Sequence, residues 1–416
     1  MIKRVLIISA LGLLLPVFAV STHPAGEPSW GFFGHRRINR LAVFTLPPEM
    51  IGFYKQNIEY VTEHAVDPDK RRYATRHEAV RHYIDIDHWD RYPFLEVPRD
   101  WTDALVKHTR LSAVTAQGDT LDLFGVGVHR RDGDLIRFDA GWLAGGEQAM
   151  DYATYRSFFQ KTFLPRYYDE VWTCSCESLD SLLGRPIPGC LTGLAVDGFS
   201  GFGILPYHLL SMQRRLTQAF EEGDPEKIIR LSTEMGHYIS DAHVPLHTSE
   251  NYNGQMTGQD GIHAFWESRL PELFADEQYD YFVGPAAYID QPAVYFWDVV
   301  LASHMLLDEV LAGEKALSRA YPSDQQFCYE ERLGQTIRTQ CAAYAKAFHD
   351  QQAGQVEARM RAAILATGSV WYTAWVDAGS PDLRKLGEKA VAADQAEDAE
   401  LEKARQSGQG FGRTHE

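Results

Sequence analysis

Two histidine–carboxylate pairs limit what this chain can fold into more than any other feature. The first lies in His237-Tyr-Ile-Ser-Asp241-Ala-His-Val-Pro-Leu-His247 and the second in Gly261-Ile-His263-Ala-Phe-Trp-Glu267. His237 and Asp241 are four residues apart, as are His263 and Glu267. On a helix that spacing puts both side chains on one face, aimed at one point. Imidazole nitrogens and carboxylate oxygens are the donors of a zinc site with open positions. Five such donors within about thirty residues need a common explanation, and a zinc cluster supplies one. The bland alternative for His237 and Asp241 alone is an exposed ion pair, ordinary on a solvated helix.

The first residues point to export. Lys3 and Arg4 precede an apolar run from Val5 to Val20, and Val17-Phe-Ala19 fits the small-residue cleavage rule. Residues 1–19 therefore read as a signal peptide, with a periplasmic or extracellular product; an uncleaved anchor is the alternative for so short a run. No cysteine follows it to take a lipid, and no other stretch is apolar enough over a bilayer's width. Export makes the five cysteines candidate disulfide partners. Cys174, Cys176 and Cys190 share one loop, Cys328 and Cys341 could close a second, and one must be left over. A net charge of −17 disfavours a non-specific grip on a phosphate backbone, which comes from clustered Lys and Arg.

Punctuation and periodicity divide the rest. Residues 20–29 read as a flexible lead-in, and Trp30 to about Asp90 is mostly helical in pattern. Between about residues 91 and 203 the composition shifts to Gly, Asp and alternating apolar residues, and Asp132-Gly133 suggests a hairpin turn. This insertion also holds an aromatic-rich helix candidate, Met150 to Tyr168, better suited to a core than to a lipid-facing surface. Helical pattern resumes at Leu205 and stops at Gly223; Asp224-Pro225 then starts a helix expected to reach about Ala242. Ile228, Leu231, Met235 and Ile239 mark its core face, while His237 and Asp241 continue the line of Ile229 and Thr233. Ala366 to Gly379 is apolar nearly all round, so it reads as a buried helix. The expectation is a mainly all-α domain over 30–385 with an irregular, partly β insertion, then a solvated, non-functional tail over 386–416.

Four further candidates, Trp30, His35, Asp67 and His82, precede the two pairs in the segments Trp30-Gly-Phe-Phe-Gly-His35, Ala65-Val-Asp67-Pro-Asp-Lys70 and Arg81-His82-Tyr-Ile-Asp85. With these in place the chain resembles the zinc-dependent phospholipase C family and its relatives, the single-strand-specific zinc nucleases. The likeness lies in the order of an early Trp and His, an Asp, a His followed by an aromatic, His-x3-Asp-x5-His and a final His-x3-Glu. It covers about residues 30–90 and 205–275, with Trp371-Tyr-Thr-Ala-Trp-Val-Asp similar to the family's closing helix.

The resemblance implies an α-helical fold around two zinc ions and a third. One would be held by Asp67, His82, His237 and Asp241, and a second by His247, His263 and Glu267. The third would use His35, Asp241 as a bridge and the backbone of Trp30. Asp67 would also act as base or orient the nucleophile, and Lys70 or Arg71 would neutralise a phosphate oxygen. Asp69 stands as the alternative to Asp67, since only spacing separates them. Of the run His82 to His88, only His82 is expected to be a ligand, with Asp85 and Asp87 bracing it. His64 and His243 read as ordinary polar positions, and Asn251 and Asn253 as substrate contacts or turn residues. One departure stands out: Trp30 lies about ten residues past the expected cleavage point, so its free amine is not available to a metal.

The implied activity is hydrolysis of a phosphodiester, with a phospholipid as the leading substrate and peripheral contact with a membrane. A single-strand-specific nuclease or nucleotidase is the second reading, in which nucleic acid is a substrate only; Lys70 leans that way. A non-catalytic zinc-binding protein of the envelope is the third, motivated by the displaced Trp30.

Overall fold

Asp224 and Pro225 start the central helix as their residue types dictate. The Asp224 carboxylate accepts the Lys227 amide at 3.0 Å, and proline fills the first turn of Pro225–Ala242. The preceding helix, Leu205–Glu222, ends on Gly223 in the left-handed conformation, which costs a residue without Cβ least. Both lie against the long helix Gln355–Asp377, and Pro225–Ala242 also lies against the first helix, Phe32–Ala42. Trp371 is the pin between them: its ring stacks on Tyr54 with centroids 4.9 Å apart, and its Nε1 donates to Ser232 O at 2.9 Å. Burying Trp371 and Tyr54 requires partners for their polar ends, and Ser232 serves both, with Tyr54 Oη 2.8 Å from its hydroxyl.

The computed structural model describes residues 32–125, 127, 129–139, 147–332, 335–386, 391–392, 394–407, 410–411 and 413. The segment read as a signal peptide, the lead-in and Trp30 fall outside the described residues. At 59% helix and 12% strand, the fold is mainly α with a few small sheets. Among the described residues no helix is long and apolar enough to cross a membrane.

Most strands lie in the segment that reads as an insertion. β1 (Arg110–Thr115), β2 (Thr120–Phe124), β6 (Trp172–Cys174) and β7 (Cys190–Val196) form an antiparallel sheet in the order β2-β1-β7-β6. β3 (His129–Asp132), β4 (Leu135–Asp139) and β5 (Glu147–Asp151) form a second. The turn between β3 and β4 pairs Asp132 with Leu135, so Gly133 and Asp134 make the bend, with Gly133 at φ +61°. The aromatic helix runs over Tyr152–Thr162, shorter than the sequence pattern suggests, and buries Tyr155 and Phe159 against Phe124 and Trp172. Disulfides join Cys176 to Cys190 and Cys328 to Cys341, leaving Cys174 free. The second of these closes a hairpin, β8 (Phe327–Arg332) with β9 (Gln335–Gln340), that the sequence pattern does not announce.

The tail is a correction. Residues Gln395–Gln406 form a helix capped by Asp394, which accepts the Ala396 and Glu397 amides. It docks on the short helix Asp67–Arg71, burying Leu401, with Glu397 2.6 Å from Arg230 and Asp398 3.5 Å from His64. A segment whose composition alone reads as solvated is thus held by one buried apolar residue together with ion pairs to distant parts of the chain.

Candidate metal centre

The helix Pro225–Ala242 carries His237 and Asp241 on its last turns, one turn apart as their spacing requires. His247 follows on the tight turn Pro245–Thr248. His263 sits on the short turn Ile262–Ala264, and Glu267 on the wider π-helical turn Phe265–Arg269 that continues it. From the other half of the chain come His35 on the first helix, Asp69 on Asp67–Arg71, and His82 just after the turn Arg76–Ala79.

These side chains converge as overlapping groups of donors. His237 Nε2 is 3.0 Å from His82 Nδ1; Asp241 Oδ2 lies 2.9 Å from His82 Nδ1 and 3.3 Å from His237 Nε2. Asp69 Oδ1 completes this group at 3.8 Å from both imidazoles. In a second group, His247 Nε2 is 3.1 Å from His263 Nε2, and Glu267 Oε2 is 3.3 and 2.7 Å from them. His35 Nε2 joins the two, at 3.5 Å from Asp241 Oδ1, 3.6 Å from Glu267 Oε1 and 3.9 Å from Asp69 Oδ2. Each of the three carboxylates thus turns one oxygen to one group and its other oxygen to His35.

Such an arrangement suits metal ions. Imidazole nitrogens facing each other at 3.0 and 3.1 Å share at most one proton between them, while a cation between them satisfies both. Three carboxylates in one largely buried cluster are a cost that cations would offset. The outward nitrogens are held from behind: His237 Nδ1 lies 2.8 Å from Ala65 O, and His247 Nδ1 is hydrogen-bonded to His82 O. That contact fixes the ring so that Nε2 faces inward.

The electrostatics suit a site for cations. Burial alone would raise the Asp241 carboxyl, but His237 and His247 hold it well below the usual carboxylate range. Burial pulls His237 down, yet Asp241 and Asp69 outweigh it and hold the ring at about 9. His35 falls to about 4 through burial and the neighbouring His237.

The structure therefore brings together His35, His82, His237, Asp241, His247, His263 and Glu267. It does not bring Asp67 to them. Asp67 Oδ2 takes His64 Nδ1 at 2.7 Å and Oδ1 takes Lys70 Nζ at 2.8 Å, so neither Asp67 nor Lys70 faces the cluster. Residues two apart on a helical turn point about 200° apart, and it is Asp69 that faces inward. Trp30, assigned to the third metal from sequence, lies outside the described residues. Asp85 ion-pairs with Arg413, and Asp87 accepts the Ser249 hydroxyl at 2.6 Å and the Glu250 amide at 3.0 Å, bracing the segment after His247. Asn253 Oδ1 accepts the Gly261 amide at 3.1 Å and the His263 amide at 3.4 Å; Asn251 accepts the Met256 amide at 2.8 Å. Their role is to shape the turn.

Two neighbours escaped sequence reading. Arg72 places its guanidinium 3.6 Å from Asp69 Oδ1, and Tyr252 sets its ring edge-on to His263 at 6.2 Å between centroids. Arg72 was legible only as one of two adjacent arginines, and Tyr252 carried no signal. Comparison with protein-family models, curated proteins and solved structures finds no match to this chain.

Proposed function

We propose that this chain is an exported, zinc-dependent phosphodiester hydrolase of the phospholipase C type. The observation that carries the reading is the shared use of Asp241, Glu267 and Asp69, each dividing its two oxygens between neighbouring donor groups. Carboxylates so divided would let neighbouring cations be held close together, the arrangement phosphoester hydrolysis uses. Zinc fits the donor chemistry: nitrogen and oxygen ligands around a tetrahedral ion stand roughly 3.3 Å apart for bonds of about 2.0 Å. In the first group His82, His237 and Asp241 stand 2.9 to 3.3 Å from one another, and Asp69 Oδ1 stands 3.8 Å from both imidazoles.

His82, His237, Asp241 and Asp69 would hold one ion, and His247, His263 and Glu267 a second with room for water. His35 with Asp241, Glu267 and Asp69 would hold a third, so this site does not depend on Trp30. Bound zinc supplies Lewis acidity and a nucleophilic water near neutral pH. The chain supplies the rest. Asp69 and Glu267 are the more solvent-accessible carboxylates and would orient that water by accepting a hydrogen bond from it. Arg72 offers a guanidinium to a phosphoryl oxygen on the same side. For a phospholipid, cleavage would leave diacylglycerol and a phosphorylated head group. The Tyr252 ring beside His263 favours the second reading, a single-strand nuclease or nucleotidase, because an aromatic face beside the metals can stack a base.

The deciding experiment offers the zinc-loaded protein phospholipid micelles and single-stranded RNA in parallel, with a chelator control. Chelator-sensitive release of phosphorylated head group supports the lipase reading; release of nucleotides alone moves the chain to the nuclease reading. Zinc binding without turnover of either substrate would leave the non-catalytic envelope protein.

A further inference from the structure

The segment that follows the long helices reaches the metal cluster. Six of its eight ligand side chains are at most 3% exposed, whereas Asp69 and Glu267 are 12% and 14% exposed. Solvent therefore meets the cluster on the Asp69–Glu267 side, and Arg72 stands there beside Asp69. Arg72 is not free to face solvent. Its guanidinium donates to the Arg413 carbonyl, and its own carbonyl accepts the Phe411 amide at 2.9 Å.

Arg413 is anchored in turn. Its guanidinium lies 3.6 Å from the centre of the Tyr83 ring and 4.5 Å from that of Tyr252, ion-pairs with Asp85, and donates to Ser249 O at 3.3 Å. Phe411 and Arg413 thus touch three ligand-bearing segments at once, those of Asp69, His82 and His247.

We propose that Phe411 and Arg413 strap the open side of the cluster and compete with an anionic phosphoester for the guanidinium of Arg72, so that substrate must displace them. This rests on the phosphodiesterase reading. The direction of the exchange follows from bond strengths. A neutral carbonyl is a weaker acceptor for Arg72 than a phosphate oxygen, which forms a charge-assisted and often paired contact. The strap must also be ordered to seat, and fixing a chain segment costs backbone entropy at each residue held. A few polar contacts set against that entropy make a device that is seated at rest and released by a stronger ligand.

The test uses the full zinc-loaded chain with Arg413→Ala, which removes the anchor, and Phe411→Pro, which removes the amide donor to Arg72 and leaves Arg413 in place. Inorganic phosphate is titrated calorimetrically after zinc content has been measured. Both variants are expected to bind phosphate about tenfold more tightly than the parent, the factor for a strap seated in about nine molecules of ten. Unchanged or weaker binding at full zinc content would overturn the strap and make this segment a brace or an anion ligand in its own right. If neither parent nor variants bind phosphate, the phosphodiesterase reading fails instead. Chelator-driven zinc loss, read with no anion present, then decides the strap separately: faster loss in both variants supports it, and equal rates overturn it.

Discussion

Gly236 lies so close to the side-chain amide of Asn39 that no Cβ fits between them. Asn39 uses the gap to donate to Thr233 O at 2.9 Å and Val61 O at 3.3 Å. The first helix is thereby drawn against Pro225–Ala242, and the His35 ring stacks on His237 with centroids 3.9 Å apart. The third donor group exists because of that approach. Gly236→Ala should force the helices apart, lowering stability by about 1–3 kcal/mol, the usual cost of overpacking. Urea denaturation checks the stability, and metal content checks the geometry, since an ion held at His35 would be lost first.

Asp69 and Asp67 differ in direction, and their variants should separate accordingly. Asp69→Asn removes an inward oxygen from two donor groups, so zinc affinity should fall by at least about 100-fold, beyond the usual effect of a supporting residue. Asp67→Asn breaks contacts with His64 and Lys70 and should leave zinc affinity within about threefold, at a stability cost of about 1 kcal/mol. Competition with a chelating dye measures both. Equal losses of affinity would return Asp67 to the ligand set.

The Cys176–Cys190 disulfide closes a 14-residue separation beside the sheet that holds Trp172. A loop of that size contributes about 3 kcal/mol through the unfolded chain. The double variant Cys176→Ser, Cys190→Ser should lower the midpoint of thermal unfolding while leaving zinc content unchanged. Cys174 should react slowly with thiol reagents, because burial pushes its thiol up to about 11 and leaves little thiolate at neutral pH.

His243 is 4% exposed, and burial together with the nearby Arg359 lowers it to about 3. Its folded-state value is depressed, so below pH 6.5 the unfolded chain binds a proton there that the folded chain refuses. Its contribution is full above pH 6.5 and declines as pH falls, by about 1.4 kcal/mol per unit. His243→Gln should flatten that slope between pH 6.5 and 5 in urea melts of the zinc-loaded protein. An unchanged slope would mean that His243 is protonated in the fold.

What the sequence determined by itself is what a few neighbouring residues control. Gly223, Asp224 and Pro225 set where one helix stops and the next begins, and the structure has them at Glu222 and Pro225. The four-residue spacings placed His237 with Asp241 and His263 with Glu267, because helical periodicity is a local property. Tertiary structure decided matters that depend on distant partners. Asp67 and Asp69 are the same residue type two positions apart, and only packing against His237, His82 and His35 selects the one that turns inward. Likewise the polar segment after the long helices is docked by Arg230, His64, Tyr83 and Asp85, all far away in the chain. Its own composition carries no record of them: a contact's free energy belongs to both partners, whereas helix propensity and capping belong to the segment alone.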